Sequence, residues 1–365
     1  MAGNIFGRSL RMSSWGESHQ EAMGVVVDGL PSGLVLDVAE IQSELEYRKP
    51  GQSAVSTSRK EDDRVRILSG LFEGKTTGAP LSLMVENKDV DSTPYEKTKN
   101  TPRPGHADYV YRLKYGFFDY RGGGRSSGRE TVCRVLAGAV AKQLIATVGI
   151  KVLAHTIRIA DITLEHKPSI KEIEENTRKN PIRCSDMKTA DLMVERIKEI
   201  AKQGDSSGGI VEVLAFNVPP GLGDPVYDRL DAVLSNALMS IPAVKGVEFG
   251  EGFASAGLRG SQVNDAIALR DGKVVFESNN AGGLLGGIST GMPLVARIAV
   301  KPTSSIALAQ KTVDLKAMRE VNLKTEGRHD PNITPRIVPV SEAMMAFVLA
   351  DYCMIEGLIP KRIVK

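Results

Sequence analysis

Alternation of apolar and polar positions marks four β segments: GVVVDGL at 24–30, IVEVLAFNV at 210–218, KVVFES at 273–278 and LVARIAV at 294–300. Gly, Pro or Asn stands near their ends. The opening stretch GNIFGRSLRMSS reads as a further short strand. Helical periodicity replaces alternation elsewhere. Asp37 and Glu40 form a capping-box pattern ahead of Ile41 and Leu45, and Lys49-Pro50-Gly51 ends that helix. Amphipathic runs at Asp191–Gln203, Tyr227–Ser240 and Ser341–Glu356 predict three more. The pattern is mixed α and β.

VVVDGLPSGLVLD followed by a helix resembles VLAFNVPPGLGDPVYD followed by a helix, which suggests an old duplication of a strand, a Pro/Gly loop and a helix. Residues 161–205, rich in charge and poor in Gly, read as a peripheral helical insertion. No long Pro- or Ser-rich linker interrupts the chain, so a single domain over 1–365 is expected.

Composition changes this picture little. Apolar content of 42% with 25% charged residues is ordinary for a globular fold, and 47 basic against 44 acidic residues leave a net charge of +3. Anion binding must therefore come from local clusters of Arg and Lys. Cys133, Cys184 and Cys353 lack metal-ligand spacing and are read as structural residues of a reducing cytosol. The first twenty residues lack a leader pattern and no stretch of about 18 apolar residues is expected anywhere, so the expectation is a cytoplasmic protein with no membrane span.

Chemistry concentrates in a few polar loops. In YRGGGRSSGRETVCRVLAGAVAKQLI, Ser127 and Glu130 predict a capping box, and Val132, Val135, Leu136, Ala139 and Leu144 mark one face of the helix that follows. Glycines with Arg121, Arg125 and Arg129 at such a helix start suit a phosphate; the plain alternative is a flexible turn with solvated arginines. His106 lies in the stiff loop TPRPGHADYVYRLKYG, His19 in WGESHQ, and His329 between Arg328 and Asp330 in EGRHDPNITPR. Singly, each is the kind of histidine that is usually structural; three of five histidines in Gly/Pro-bounded polar loops weigh the other way. His155, in a strand-like run, and His166, in the charged insertion, carry no such signal. Lys301 with Thr303, Ser304 and Ser305 in AVKPTSSIA offers a second phosphate cradle, or only a strand-to-loop transition. NNAGGLLGGISTG allows close approach of a bulky ligand or a simple tight turn. Arg48, Lys49, Arg59 and Lys60 in YRKPGQSAVSTSRKEDD form a solvated face or a lid over an anion. No metal-ligand spacing appears, nor a strand-borne G-x-G-x-x-G, nor aromatics interleaved with the basic loops as nucleic-acid binding would need.

Taken together, GESH at 16–19, RPGHADY at 103–109, RGGGRSSGRET at 121–131, SNNAGGLLGGIS at 278–289, KPTSS at 301–305 and RHDP at 328–331 resemble one family, chorismate synthase, along essentially the whole chain. The resemblance implies an α+β fold, a β-α-β sandwich, taken to have antiparallel sheets in the core and helices outside. It implies a homotetrameric carbon–oxygen lyase that converts 5-enolpyruvylshikimate 3-phosphate to chorismate and phosphate by 1,4-elimination with reduced FMN. NADPH would act only indirectly, as reductant of the flavin, and whether a separate flavin reductase supplies it is open.

Carried over by position, the resemblance makes His19 the acid that meets the leaving phosphate, His106 the partner of reduced flavin at its N1/O2 edge, and Asp330 the carboxylate near flavin N5. Arg48, Arg103, Arg129, Arg328 and Ser18 match substrate-binding positions. Arg125, Ser126, Ser127, Ala243, Gly286, Lys301, Pro302, Thr303, Ser304, Ser305 and Arg328 match flavin-contacting positions. The chain departs from the family pattern at Gln20, Ala54, Pro242 and Asn332.

Overall fold

The computed structural model describes residues 3–49, 62–88, 92–325 and 330–363. Two five-stranded antiparallel sheets enclose a layer of helices. In space the first sheet runs Ile5–Phe6, Arg11–Gly16, Ala22–Asp28, Leu81–Glu86, Arg66–Ser69; the second runs Ile162–Thr163, Lys151–Ile159, Gly209–Phe216, Leu294–Val300, Val244–Phe249. Every pairing within them is antiparallel.

Each sheet has one apolar face, as period-2 alternation requires. Met23, Val25, Val27, Leu81, Leu83 and Val85 are fully buried in the first sheet, and Val211, Val213, Ala215, Leu294, Ala296 and Ile298 in the second. The long helices Thr131–Ala146 and Thr334–Ile355 pack on these faces and on one another, with Val38–Arg48 and Leu230–Met239 alongside. In Thr334–Ile355, 19 of 22 residues are buried. A helix apolar on every side must be enclosed, so the layer order reverses the expectation of helices outside: the sheets are the outer layers. The α+β class and the β-α-β sandwich stand. Contrary to the expectation that no apolar stretch of that length occurs, this helix is long and apolar enough by length and composition to cross a membrane, but 94% of its apolar window is buried inside the fold.

The two halves repeat one another. Strands Arg11–Gly16 and Ala22–Asp28, helix Val38–Arg48, strands Arg66–Ser69 and Leu81–Glu86, and helix Thr131–Ala146 occur in the same chain order as Lys151–Ile159, Gly209–Phe216, Leu230–Met239, Val244–Phe249, Leu294–Val300 and Thr334–Ile355. Corresponding strands hold the same places in their sheets. The Pro/Gly loops that look alike in sequence each leave a central strand for a shorter helix. In the second half, residues 160–208 stand where the first has the short turn 17–21; their helices Ile170–Asn176 and Met187–Lys202 surround a small apolar cluster of their own, Ile182, Cys184, Ala190, Met193 and Ile197 with Ile159.

Element bounds shift where side chains cap differently from the sequence reading. Asp186 accepts from Thr189 N at 2.7 Å, so the helix expected at Asp191 begins at Met187. The last helix begins at Thr334 rather than Ser341, with Pro335 in its first turn and Pro339 within it. Tyr227–Ser240 shortens to Leu230–Met239, and KVVFES forms Lys273–Phe276, which among the described residues pairs only with Ile267–Arg270. The opening stretch makes two strands rather than one. Lys142 joins three helices: its ammonium meets Glu44 at 2.7 Å and Glu342 at 2.5 Å, and Glu342 also accepts from Ala154 N at 2.8 Å.

Gly138 lies where the two long helices cross. A Cβ at that position would overlap both Cα and Cβ of Ala343. Gly138→Val is expected to destabilise the chain by about 3 kcal/mol, the upper end of the overpacking range, despite the slightly better helix propensity of Val. Urea unfolding checks this; unchanged stability would contradict the crossing.

Candidate functional site

The repeat brings equivalent points of the two halves to one place. A cleft of about 440 Å³ is lined by Arg129 near the start of Thr131–Ala146 and by Asp330, Ile333 and Arg336 at the start of Thr334–Ile355. Arg48, which ends helix Val38–Arg48, faces the same space as Pro242 and Ala243, which follow helix Leu230–Met239. Lys301 to Ser305 enter directly after strand Leu294–Val300. The loop around His106 and the glycine turn Gly122–Gly123 complete the wall. Among the described residues that line it, Arg48, Arg103, Arg129, Lys301 and Arg336 are basic and only Asp330 is acidic, which suits an anionic guest.

The arginines are held by carboxylates. Asp63, fully buried and with φ 45°, accepts from Arg48 Nη2 at 2.8 Å and from Arg129 Nη1 at 2.5 Å. Burial pushes the Asp63 pKa up, but the two guanidiniums outweigh that and hold it below its ordinary value. Burial, with Arg336 and Arg129 nearby, brings Arg48 down to about 10, so it stays charged at neutral pH. Arg48 Nη1 also donates to Thr131 Oγ1 at 3.2 Å, while its buried Nε has no hydrogen-bond partner among the described residues. Arg103 forms a two-pronged pair with Asp108, Nε and Nη2 each at 2.8 Å, which keeps the arginine charged against burial. Asp330 pairs with Arg336 Nη1 at 2.6 Å.

Local backbone places the histidines. His106 N donates to Arg103 O at 3.2 Å, closing the Pro-Gly turn, and His106 Nε2 lies 2.7 Å from Ser305 Oγ. Lys301 Nζ donates to Gly105 O at 2.8 Å and to Ser304 Oγ at 2.7 Å. Burial and Lys245 lower the Lys301 pKa. The Thr303 hydroxyl, at the same wall, is buried without a hydrogen-bond partner among the described residues. His19 packs edge-on to Tyr95 at 5.2 Å, with its Nδ1 3.4 Å from Ser18 Oγ. A Cβ on Gly122, whose φ is 59°, would overlap the His19 ring. Tyr95 and Gly122 both line the cleft, so His19 stands at its rim.

Of the residues singled out by sequence, His106, Asp330, Arg48, Arg103, Arg129, Ser126, Ser127, Ala243 and Lys301, Pro302, Thr303, Ser304 and Ser305 come together on this cleft. Ser18 is fully buried against His19 rather than on the cleft wall. The Arg125 guanidinium turns away, to Gly16 O at 3.1 Å and Ser14 Oγ at 2.7 Å, and lines a neighbouring cavity of about 970 Å³. Gly286 lies in the Leu284–Ser289 hairpin, away from the cleft. Arg328, His329, Ala54, Arg59 and Lys60 lie outside the described residues. Ser127 caps Arg129 N at 3.3 Å, but the expected reciprocal box is absent: Glu130 reaches Arg134 at 2.8 Å and Ser14 at 3.2 Å instead. Gln20 binds Asp119 at 2.8 Å. Asn332 is buried, donates to Ser207 O at 2.9 Å and Gly208 O at 3.1 Å, and accepts from Thr334 N at 2.8 Å, anchoring the last helix. His155 is buried between Ser185 and Glu212, a structural setting. Asp63, Asn87, Tyr95 and Arg336 were missed; only the density of charge in RKEDD hinted at the first.

The family model for chorismate synthase matches residues 10–354. The chain belongs to the chorismate synthase family. Among curated relatives, chorismate synthase of Methanococcoides burtonii is 54% identical over 98% of this chain and 97% of its own, and that of Chloroflexus aggregans is 53% identical over 98% and 97%. A crystal structure of chorismate synthase superimposes with a TM-score of 0.78 at 32% identity, covering 96% of this chain and 93% of that one.

Gly122→Ala tests the geometry of the rim. The added methyl must displace the His19 ring, and an error of about 1 Å in a positioned group costs about a hundredfold in rate. The expected result is a turnover lowered by about that factor with circular dichroism unchanged. Native turnover would detach His19 from the site.

Proposed function

We propose that this cleft carries out the family's reaction, the 1,4-elimination of phosphate from 5-enolpyruvylshikimate 3-phosphate to give chorismate, and that the protein is therefore a carbon–oxygen lyase of the shikimate pathway to aromatic amino acids. The observation that carries the reading is convergence. Basic and hydroxyl groups from five separate segments of the chain line one cavity with a single lining carboxylate among the described residues. A substrate with one phosphate and two carboxylates suits that charge balance.

The residues also fit a reduced FMN. Lys301, Ser304, Ser305 and the buried Thr303 hydroxyl, which has no hydrogen-bond partner among the described residues, form a donor set suited to a phosphate-bearing cofactor. Reduced FMN, when bound, would supply electron density transiently to the breaking C–O bond. Arg48, Arg103 and Arg129 hold the substrate anions, their forks kept in orientation by Asp63 and Asp108. His19 gives a proton to the departing phosphate, and His106, steadied by Ser305, would help hold the flavin and its proton. Asp330, oriented by Arg336, would take up the proton lost from the substrate carbon at its carboxylate. NADPH serves only as a reductant of the flavin, directly or through a separate reductase.

The three free cysteines are buried, with burial pushing the thiols of Cys133 and Cys353 up to about 12 and that of Cys184 to about 11, in keeping with a cytoplasmic setting. Assembly as a homotetramer is supported by an apolar hairpin face, Ile267, Leu269 and Val274, each well over half exposed.

The test is anaerobic. The chain mixed with dithionite-reduced FMN and the phosphorylated substrate should release phosphate and chorismate. His19→Ala and His106→Ala should each lower turnover by about 10²- to 10⁴-fold, the usual worth of a positioned acid or base, and leave FMN affinity far less changed. Unchanged turnover in both variants would remove them from the mechanism.

A further inference from the structure

The stretch directly after strand Leu81–Glu86 is the first-half equivalent of the stretch that delivers Lys301, yet its described residues 87, 88 and 92 contribute no side chain to the cleft wall. Its first residue, Asn87, is used differently. Its Nδ2 donates to Glu17 O at 3.0 Å and to Gln20 O at 2.7 Å, the two carbonyls that flank the Ser18-His19 pair. Its Oδ1 accepts from Arg129 Nε at 2.9 Å. The partners fix the amide's orientation, since a flipped group would set its oxygen against two carbonyls and its NH2 against an N–H donor. The backbone is tied as well: Asn87 N donates to Glu21 O at 2.9 Å, and Gln20 N to Glu17 O at 3.1 Å.

From this geometry we infer that Asn87 is a positioning residue, one that fixes the distance between the proton donor's turn and the arginine that holds the substrate anion. Arg129 is locked on its other side by Asp63, which also holds Arg48. The chain Arg48, Asp63, Arg129, Asn87 and the 17–20 turn is thus continuous, and Asn87 is the link on which the spacing of His19 from the arginines depends. The inference rests on the proposed role of His19, and it adds a role for a residue that touches neither substrate nor cofactor.

A double-mutant cycle separates this from a merely structural part. Asn87→Leu, close in shape and without hydrogen bonds, should lower kcat by about thirtyfold or more while KM changes by less than about fivefold. In a His19→Ala background the same substitution should cost less than about fivefold, because the group it positions is already gone. A loss below about threefold in the native background, or equal losses in both backgrounds, would overturn the inference. If circular dichroism finds Asn87→Leu unfolded, Asn87→Ser carries the same cycle. Should His19→Ala itself retain native turnover, the reading of His19 fails, and that is seen before Asn87 is changed.

Discussion

Two buried guanidiniums side by side are tolerable only with a carboxylate between them, and Asp63 is that carboxylate. Arg48 comes from the end of a helix and Arg129 from the start of another, 81 residues later, so one anion fixes where two separate elements meet. Removing it would leave Arg48, 1% exposed, without its ion-pair partner. Arg48 and Arg129, and through Asn87 the 17–20 turn, hang from this pairing.

The repeat explains why a cleft exists there at all. Both long helices are wholly enclosed between the sheets along most of their length, and their polar beginnings come together at the cleft. Free N–H groups and the positive dipole end of a helix favour anions, and here two such starts meet. The lining groups then divide between the halves: Arg48, Arg103, His106 and Arg129 on the first, the lysine–hydroxyl loop, Asp330 and Arg336 on the second.

What was legible in the sequence follows from whether the signal was local. The strand LVARIAV and the apolar face of the 131–146 helix lie where alternation and periodicity put them, because burial on one side writes a period into the chain. The cleft loops were legible because Gly and Pro mark rigid turns and Arg marks anion contact. The layer order was not, since the enclosed helix Thr334–Ile355 has no polar stripe to give a direction away. Nor were Asp63 and Asn87, whose partners lie 15 to 70 positions away in the chain. Arg125 differs for the opposite reason: its local sequence suggests an anion contact, while its guanidinium is bonded to Gly16, Ser14 and Asn4.

The most direct measurement is an anaerobic crystal structure with the phosphorylated substrate bound. The account predicts substrate oxygens within about 3 Å of Arg48, Arg103 or Arg129 in the cleft, with the phosphate at the rim within reach of His19. Substrate seated instead in the neighbouring cavity beside Arg125, with the cleft arginines untouched, would contradict it.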